Sequence, residues 1–282
     1  MRRGLTLGVS TIFLATLLVS GTARAEVVEG GRDVPPVSGA AMGRVAVRRG
    51  VQGPAGLLTL RLNLLVNASK NTFGKPTSLA PDLFYAITDT VQIGLLHTGP
   101  MGWQTLPGAG LCLTGTGTGG CPKVYNNVGF DFMYGLLFGD FHLSLHSSLL
   151  VTRIADPTGV MWTVGFTGKF HFTDVVALYF DPQIGITLSH RDVNKDRLFL
   201  PVELQFQATS AVAVKVLSGV EGQLSALGDT FRSPLGLGIV GNVNAYFDLG
   251  LRFSFDNLLG HQPAGFSRTD FRSIGLLATF RT

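Results

Sequence analysis

The chain has 282 residues, 45% of them hydrophobic, and a formal net charge of +4. Three of those charges, Arg2, Arg3 and Arg24, fall in a removable leader, which leaves the mature chain at +1. So slight an excess excludes a nucleic-acid partner as the reason for the basic balance.

The leader occupies residues 1–25. Arg2 and Arg3 form a positive start, an apolar stretch runs from Leu5 to Val19, and Ala23-Arg24-Ala25 has the form of a cleavage site. Gly8, Ser10 and Thr11 interrupt the stretch, and a spanning helix needs about 20 mostly apolar residues. Cleavage is expected after Ala25. Residues 26–54, with Pro35, Pro36 and Arg44, Arg48 and Arg49, are expected to be a flexible periplasmic lead-in.

From residue 55 onward the chain alternates apolar with small or polar residues in stretches of about ten, the pattern of a transmembrane β-barrel. The first stretch, 56–67, sets Leu58, Leu60, Leu62, Leu64 and Val66 against Thr59, Arg61 and Asn63. The second, 77–87, sets Leu79, Pro81, Leu83, Tyr85 and Ile87 against Ser78, Ala80, Asp82 and Ala86. A tight turn at Thr88–Thr90 leads to Val91, Ile93 and Leu95 of the third.

A long segment, 99–126, then carries Cys112 and Cys121. In an exported chain these two are expected to form a disulfide closing an external loop. The zinc-type C-x₂-C spacing is absent, and no metal or cofactor is expected.

Strands follow at 127–138, 141–152, 160–171 and 176–189. The last is the clearest: Val176, Leu178, Phe180, Pro182, Ile184, Ile186 and Leu188 share one face, and Ala177, Tyr179, Asp181, Gln183, Gly185, Thr187 and Ser189 the other. Four more stretches are expected near 198–207, 211–218, 234–245 and 247–257, and a final one near 270–281. The count is about twelve. Tight connections at 88–90, 139–140, 172–174, 209–210 and near Tyr246 all fall on one rim, and the longer loops on the other. Outer-membrane barrels sort their connections in this way, with short turns in the periplasm. Aromatic residues cluster at the short-turn rim, including Tyr85, Phe138, Phe141, Phe170, Phe206, Phe247 and Phe280.

Two turns carry a family resemblance. Tyr85-Ala86-Ile87-Thr88-Asp89-Thr90-Val91-Gln92-Ile93-Gly94 resembles the tyrosine-glycine-x-threonine-aspartate hairpin of bacterial outer-membrane β-barrel proteins, including transporters of the phenol-degradation MetA-like type. Ala86 stands where that hairpin usually has glycine, and Phe172-Thr173-Asp174 repeats the threonine-aspartate turn. Such families often end on an aromatic residue, whereas Phe280 here is followed by Arg281 and Thr282. The resemblance spans residues 55–282 and implies an antiparallel up-and-down barrel in the outer membrane of a Gram-negative bacterium. Its implied partners are lipid and the barrel-assembly machinery.

Candidate chemistry is sparse. His142-x-Ser144 is the pairing of an outer-membrane phospholipase, but Leu145-His146 replaces the asparagine-glycine that follows there. The alternation also turns His142, Ser144 and His146 away from lipid, so no enzyme activity is expected. The remaining candidates are charges on the inward face: Arg61, Lys169, Lys215 and Arg252 with Asp82, Asp131, Asp181, Glu203 and Asp256. Mixed signs of this kind suit either a network of salt bridges across the lumen or a selectivity lining. The expected function is a passive channel or transporter for small solutes. The alternative is a non-conducting barrel that acts through its outer loops at 99–126, 190–197 and 219–233.

Overall fold

A computed structural model describes residues 45–117 and 120–282. The expected leader, 1–25, and residues 26–44 of the lead-in lie outside the described residues.

Strands β1 (Leu58–Asn67), β2 (Thr77–Ala86) and β3 (Val91–Leu96) open the barrel, and a short β4 (Leu111–Thr114) follows. Then come β5 (Val128–Leu137), β6 (Phe141–Arg153), β7 (Gly159–Thr173), β8 (Val176–Phe180) and β9 (Gln183–Thr187). Strands β10 (Arg197–Thr209), β11 (Val212–Gln223), β12 (Leu235–Asn242), β13 (Phe247–Phe255) and β14 (Arg272–Arg281) complete it.

β8 and β9 are two halves of one strand. Both pair with β7 on one side and β10 on the other, and the break falls at Asp181-Pro182. Proline has no N–H to give the ladder. β4 lies off the wall's main course and pairs with the long-loop end of β2, with Leu111 also bridging Tyr125. Twelve antiparallel strands therefore form the wall, which closes where β1 pairs with β14 as well as β2. Closure leaves no open edge and satisfies the backbone within lipid.

The period-two alternation sets the register throughout. Asn63, Ser78, Ala80, Asp82, Asp131, Ser144, His146, Thr163, Asp181, Gln183 and Arg252 are buried inside. Phe130, Leu149, Trp162, Phe166, Ile184, Leu237, Leu251 and Phe280 are exposed on the outer face. In water so many exposed large apolar side chains would drive aggregation, whereas in a bilayer they form the lipid-facing band. Rings cluster at the short-turn rim: Phe141 with Phe170 at 6.2 Å and Phe180 at 6.3 Å, and Phe247 with Phe280 at 4.8 Å.

Besides β11, which runs past the expected end at 218 to Gln223 and so takes the start of the expected 219–233 loop, two features depart from the sequence expectation. The described part of the lead-in, residues 45–54, is not a free tether. It makes a short turn at Ala46–Arg48, and Val47 is wholly buried against the barrel. The long segment after β3 is not purely an external loop either, because its first part, Gly99–Gln104, turns inward. Hydrophobic alternation reports only which side of the wall a strand residue faces, so it carries no information on segments that leave the wall.

The register makes a direct prediction. Arginine on the lipid face near the bilayer midplane costs about 2–4 kcal/mol, and Ile184 lies on that face beside the buried Gln183. Ile184→Arg should therefore sharply reduce the folded, heat-modifiable band on a gel, while Arg61→Gln, inside the lumen, should leave it intact.

Candidate functional site: a lumen divided by two inserted segments

The site begins at the end of β3. Asp82, buried on β2, accepts hydrogen bonds from the backbone N–H groups of His97 (2.7 Å) and Thr98 (3.1 Å) and from the Thr98 hydroxyl (2.7 Å). These bonds draw the chain off the wall after only six strand residues. β4 then occupies the vacated stretch beside β2, with Ser78 opposite Cys112.

Between these points the Gly99–Gln104 turn crosses the lumen. Gly99 and Gly102 have φ of 63° and 51°, a left-handed conformation that suits glycine. Beyond the second glycine, Arg252 on β13 donates to the carbonyls of Trp103 and Thr105, the latter at 3.2 Å. The Gln104 side chain donates to the Val202 carbonyl on the opposite wall at 3.2 Å.

Trp103 packs against Leu217, Val240 and Leu277. Its ring fits a recess left by two glycines: a Cβ at Gly238 would lie 2.7 Å from the indole, and one at Gly250 3.3 Å. Lys215 completes the setting with its ammonium 5.2 Å from the ring centre, a favourable cation–π placement.

The second inserted segment enters from the short-turn rim. Lys169 donates to the Ala46 carbonyl at 2.8 Å, and the Val47 N–H donates to the Gln207 side chain at 3.2 Å. Arg49 pairs through both terminal nitrogens with Asp248, which also accepts from Arg281. The bidentate fork fixes orientation as well as charge. Arg281 thus turns inward to Asp248 while Phe280 turns outward to Phe247.

These segments leave two cavities. A vestibule of about 480 Å³ opens toward the long-loop rim, and Met101, Met161 and Phe199 form an apolar cluster on its lining. A chamber of about 220 Å³ lies between the two inserted segments. Thr98, Pro100 and Met101 line both, so a single strap separates them.

Arg61, Asp82, Lys169, Asp181, Glu203 and Lys215 from the sequence candidates line the chamber. The ion pair within this set, Lys215 with Glu203 at 2.9 Å, joins neighbouring strands rather than spanning the lumen. Asp131 lies behind the lining: His146 donates toward Asp131 (2.7 Å) and Asp181 (2.8 Å), and Ser148 adds a bond to Asp131 at 2.6 Å. Asp256, past the end of β13, accepts from Ser254 (2.8 Å) and Ser273 (2.6 Å), and Ser273 in turn meets Arg252. His142 turns edge-on to the His171 ring at 5.4 Å.

Sequence reasoning placed His146 inside but missed Trp103, Arg49 and Arg281 as parts of this interior. The signals available were a tryptophan within a Gly-rich loop and alternate inward glycines at 236 and 238 on β12. The expected Cys112–Cys121 disulfide is formed, farther along the same loop and joined to β4.

Fold and site together define a closed, twelve-stranded antiparallel barrel with a constricted lumen. No protein-family model and no curated protein matches the sequence. Among solved structures the chain is similar to the KdgM porin, with a TM-score of 0.51 and 6% identity over 79% of this chain and 98% of that one. The NanC porin gives 0.52 and 5% over the same shares. An outer membrane channel from Pseudomonas putida F1 gives 0.51 and 10% over 82% and 97%.

The capture of the loop by Asp82 is testable. A net contribution of roughly 1.5–3 kcal/mol accompanies each bond to a charged group, so Asp82→Ala should free the strap. With Trp162→Phe leaving Trp103 as the one tryptophan of the chain, acrylamide should quench its fluorescence several-fold more strongly than in the parent. Gly238→Val, which fills the indole recess, should do the same without touching Asp82.

Proposed function

We propose that the protein is a passive channel for small solutes in the bacterial outer membrane, with its short-turn rim in the periplasm. The observation that carries this reading is the lumen itself. It is walled by polar and charged side chains, and vestibule and chamber are separated by one strap held through a few hydrogen bonds. Barrels of eight strands are filled by side chains and those of 16–18 leave a wide channel. Twelve strands with two inserted segments give a narrow, selective path.

The porin and channel descriptions of the similar structures support the same reading. The threonine-aspartate turns at 88–90 and 172–174 suit an outer-membrane transporter of the MetA-like type. The buried His146 is held between the Asp131 and Asp181 carboxylates, a structural rather than a catalytic setting.

Planar-bilayer recording tests the proposal. The wild-type protein should give small single-channel steps, and deletion of Pro100–Trp103 should raise the conductance severalfold while the barrel still folds. Silence from both proteins would contradict a channel and favour a barrel that acts through its outer loops.

A further inference from the structure

We infer that the chamber between the two inserted segments is a binding site for a small carboxylate with an apolar body. The inference rests on the channel reading and names the class of solute that this site would select.

Formal charges around the chamber balance, with Arg49, Arg61, Lys169 and Lys215 facing Asp82, Asp181, Glu203 and Asp248. Net charge therefore selects neither sign, and the partners of each group decide. Every carboxylate is engaged. Asp82 holds His97 and Thr98, Asp181 faces His146, Glu203 pairs with Lys215, and Asp248 binds Arg49 and Arg281.

Two cations have no carboxylate within ion-pair distance among the described residues. Arg61 lies directly opposite Asp82 in the β1–β2 register, an arrangement that ordinarily forms an ion pair. The loop has taken Asp82, and the Arg61 guanidinium instead lies 4.7 Å from the Phe84 ring centre. Lys169 is buried, and its ammonium meets one neutral acceptor, the Ala46 carbonyl. An ammonium has three donors, and an ionised acceptor makes the stronger bond. A solute carboxylate supplies what both cations lack.

The rest of the lining favours an apolar body. Trp103, Met101, Met133 and Leu277 face the same space. The Trp103 ring itself supplies the largest apolar surface of this lining. A cavity of roughly 150 Å³ accepts benzene, so 220 Å³ holds one ring bearing a carboxylate.

The experiment uses the purified full chain carrying Trp162→Phe and reads Trp103 fluorescence. Benzoate, benzylamine and acetate are the probes: the first has charge and ring, the second reverses the charge, and the third lacks the apolar body. Benzoate should give a saturable change, with benzylamine and acetate at least tenfold weaker. Arg61→Gln and Lys169→Gln should each raise the benzoate Kd about tenfold, and Lys169→Arg should restore binding if Lys169→Gln fails to fold.

Equal responses to benzoate and benzylamine would overturn the inference, as would a benzoate Kd unchanged in both Gln variants. Saturable benzoate binding by a protein that passes no current would support the site and contradict only the channel. Current without any Trp103 response to benzoate would contradict only the site.

Discussion

The interior of this barrel depends on the Asp82 carboxylate. A buried carboxylate must be paired or hydrogen-bonded, and its natural partner is Arg61, directly across the β1–β2 ladder. It takes the N–H groups of His97 and Thr98 instead. From that choice follow the short β3, the replacement of its outer half by β4, and the entry of Gly99–Gln104 into the lumen. It also leaves Arg61 without its cross-strand partner. One side chain thereby links wall, constriction and the character of the chamber.

Three other charges act in the same manner. They hold inserted chain rather than one another across the lumen: Arg252 holds Trp103, Lys169 holds Ala46, and Asp248 holds Arg49. The energetics favour this arrangement, because backbone groups inside a barrel need partners as strictly as those in its wall. The strap is consequently anchored at its two ends, with glycines at positive φ between the anchors. Its Thr98, Pro100 and Met101 border both vestibule and chamber.

The wall was legible in the sequence to within a few residues at most strand ends, with β11 running on to Gln223 as the main exception. Strand period fixes side-chain direction, and a slip of one residue would have inverted every assignment. Leu178, Ile184 and Leu251 outside and Asp82, Asp181 and Gln183 inside all follow from alternation alone. Pro182 was legible as an outward residue but not as a break, since the break depends on which neighbour needs its missing N–H. The interior was less legible. Inward charges could be named, but their partners are set by segments with no periodicity, 45–54 and 97–110. The β1–β2 register sets Asp82 opposite Arg61, and the position of His97 and Thr98 draws its hydrogen bonds to the loop instead. Arg281, read as a departure from an aromatic terminus, is an inward anchor one residue past an outward Phe280.

The central claim is that the strap lies inside the lumen, and thiol accessibility in intact cells tests it most directly. Met101 is 4% exposed, whereas Leu113, in the same loop, is 59% exposed. With the native disulfide intact, a bulky, membrane-impermeant polyethylene-glycol maleimide should label Leu113→Cys rapidly and leave Met101→Cys unlabelled until Asp82→Ala is added. Rapid labelling of Met101→Cys in the otherwise native chain, at the rate of Leu113→Cys, would place the strap outside the barrel and contradict the account.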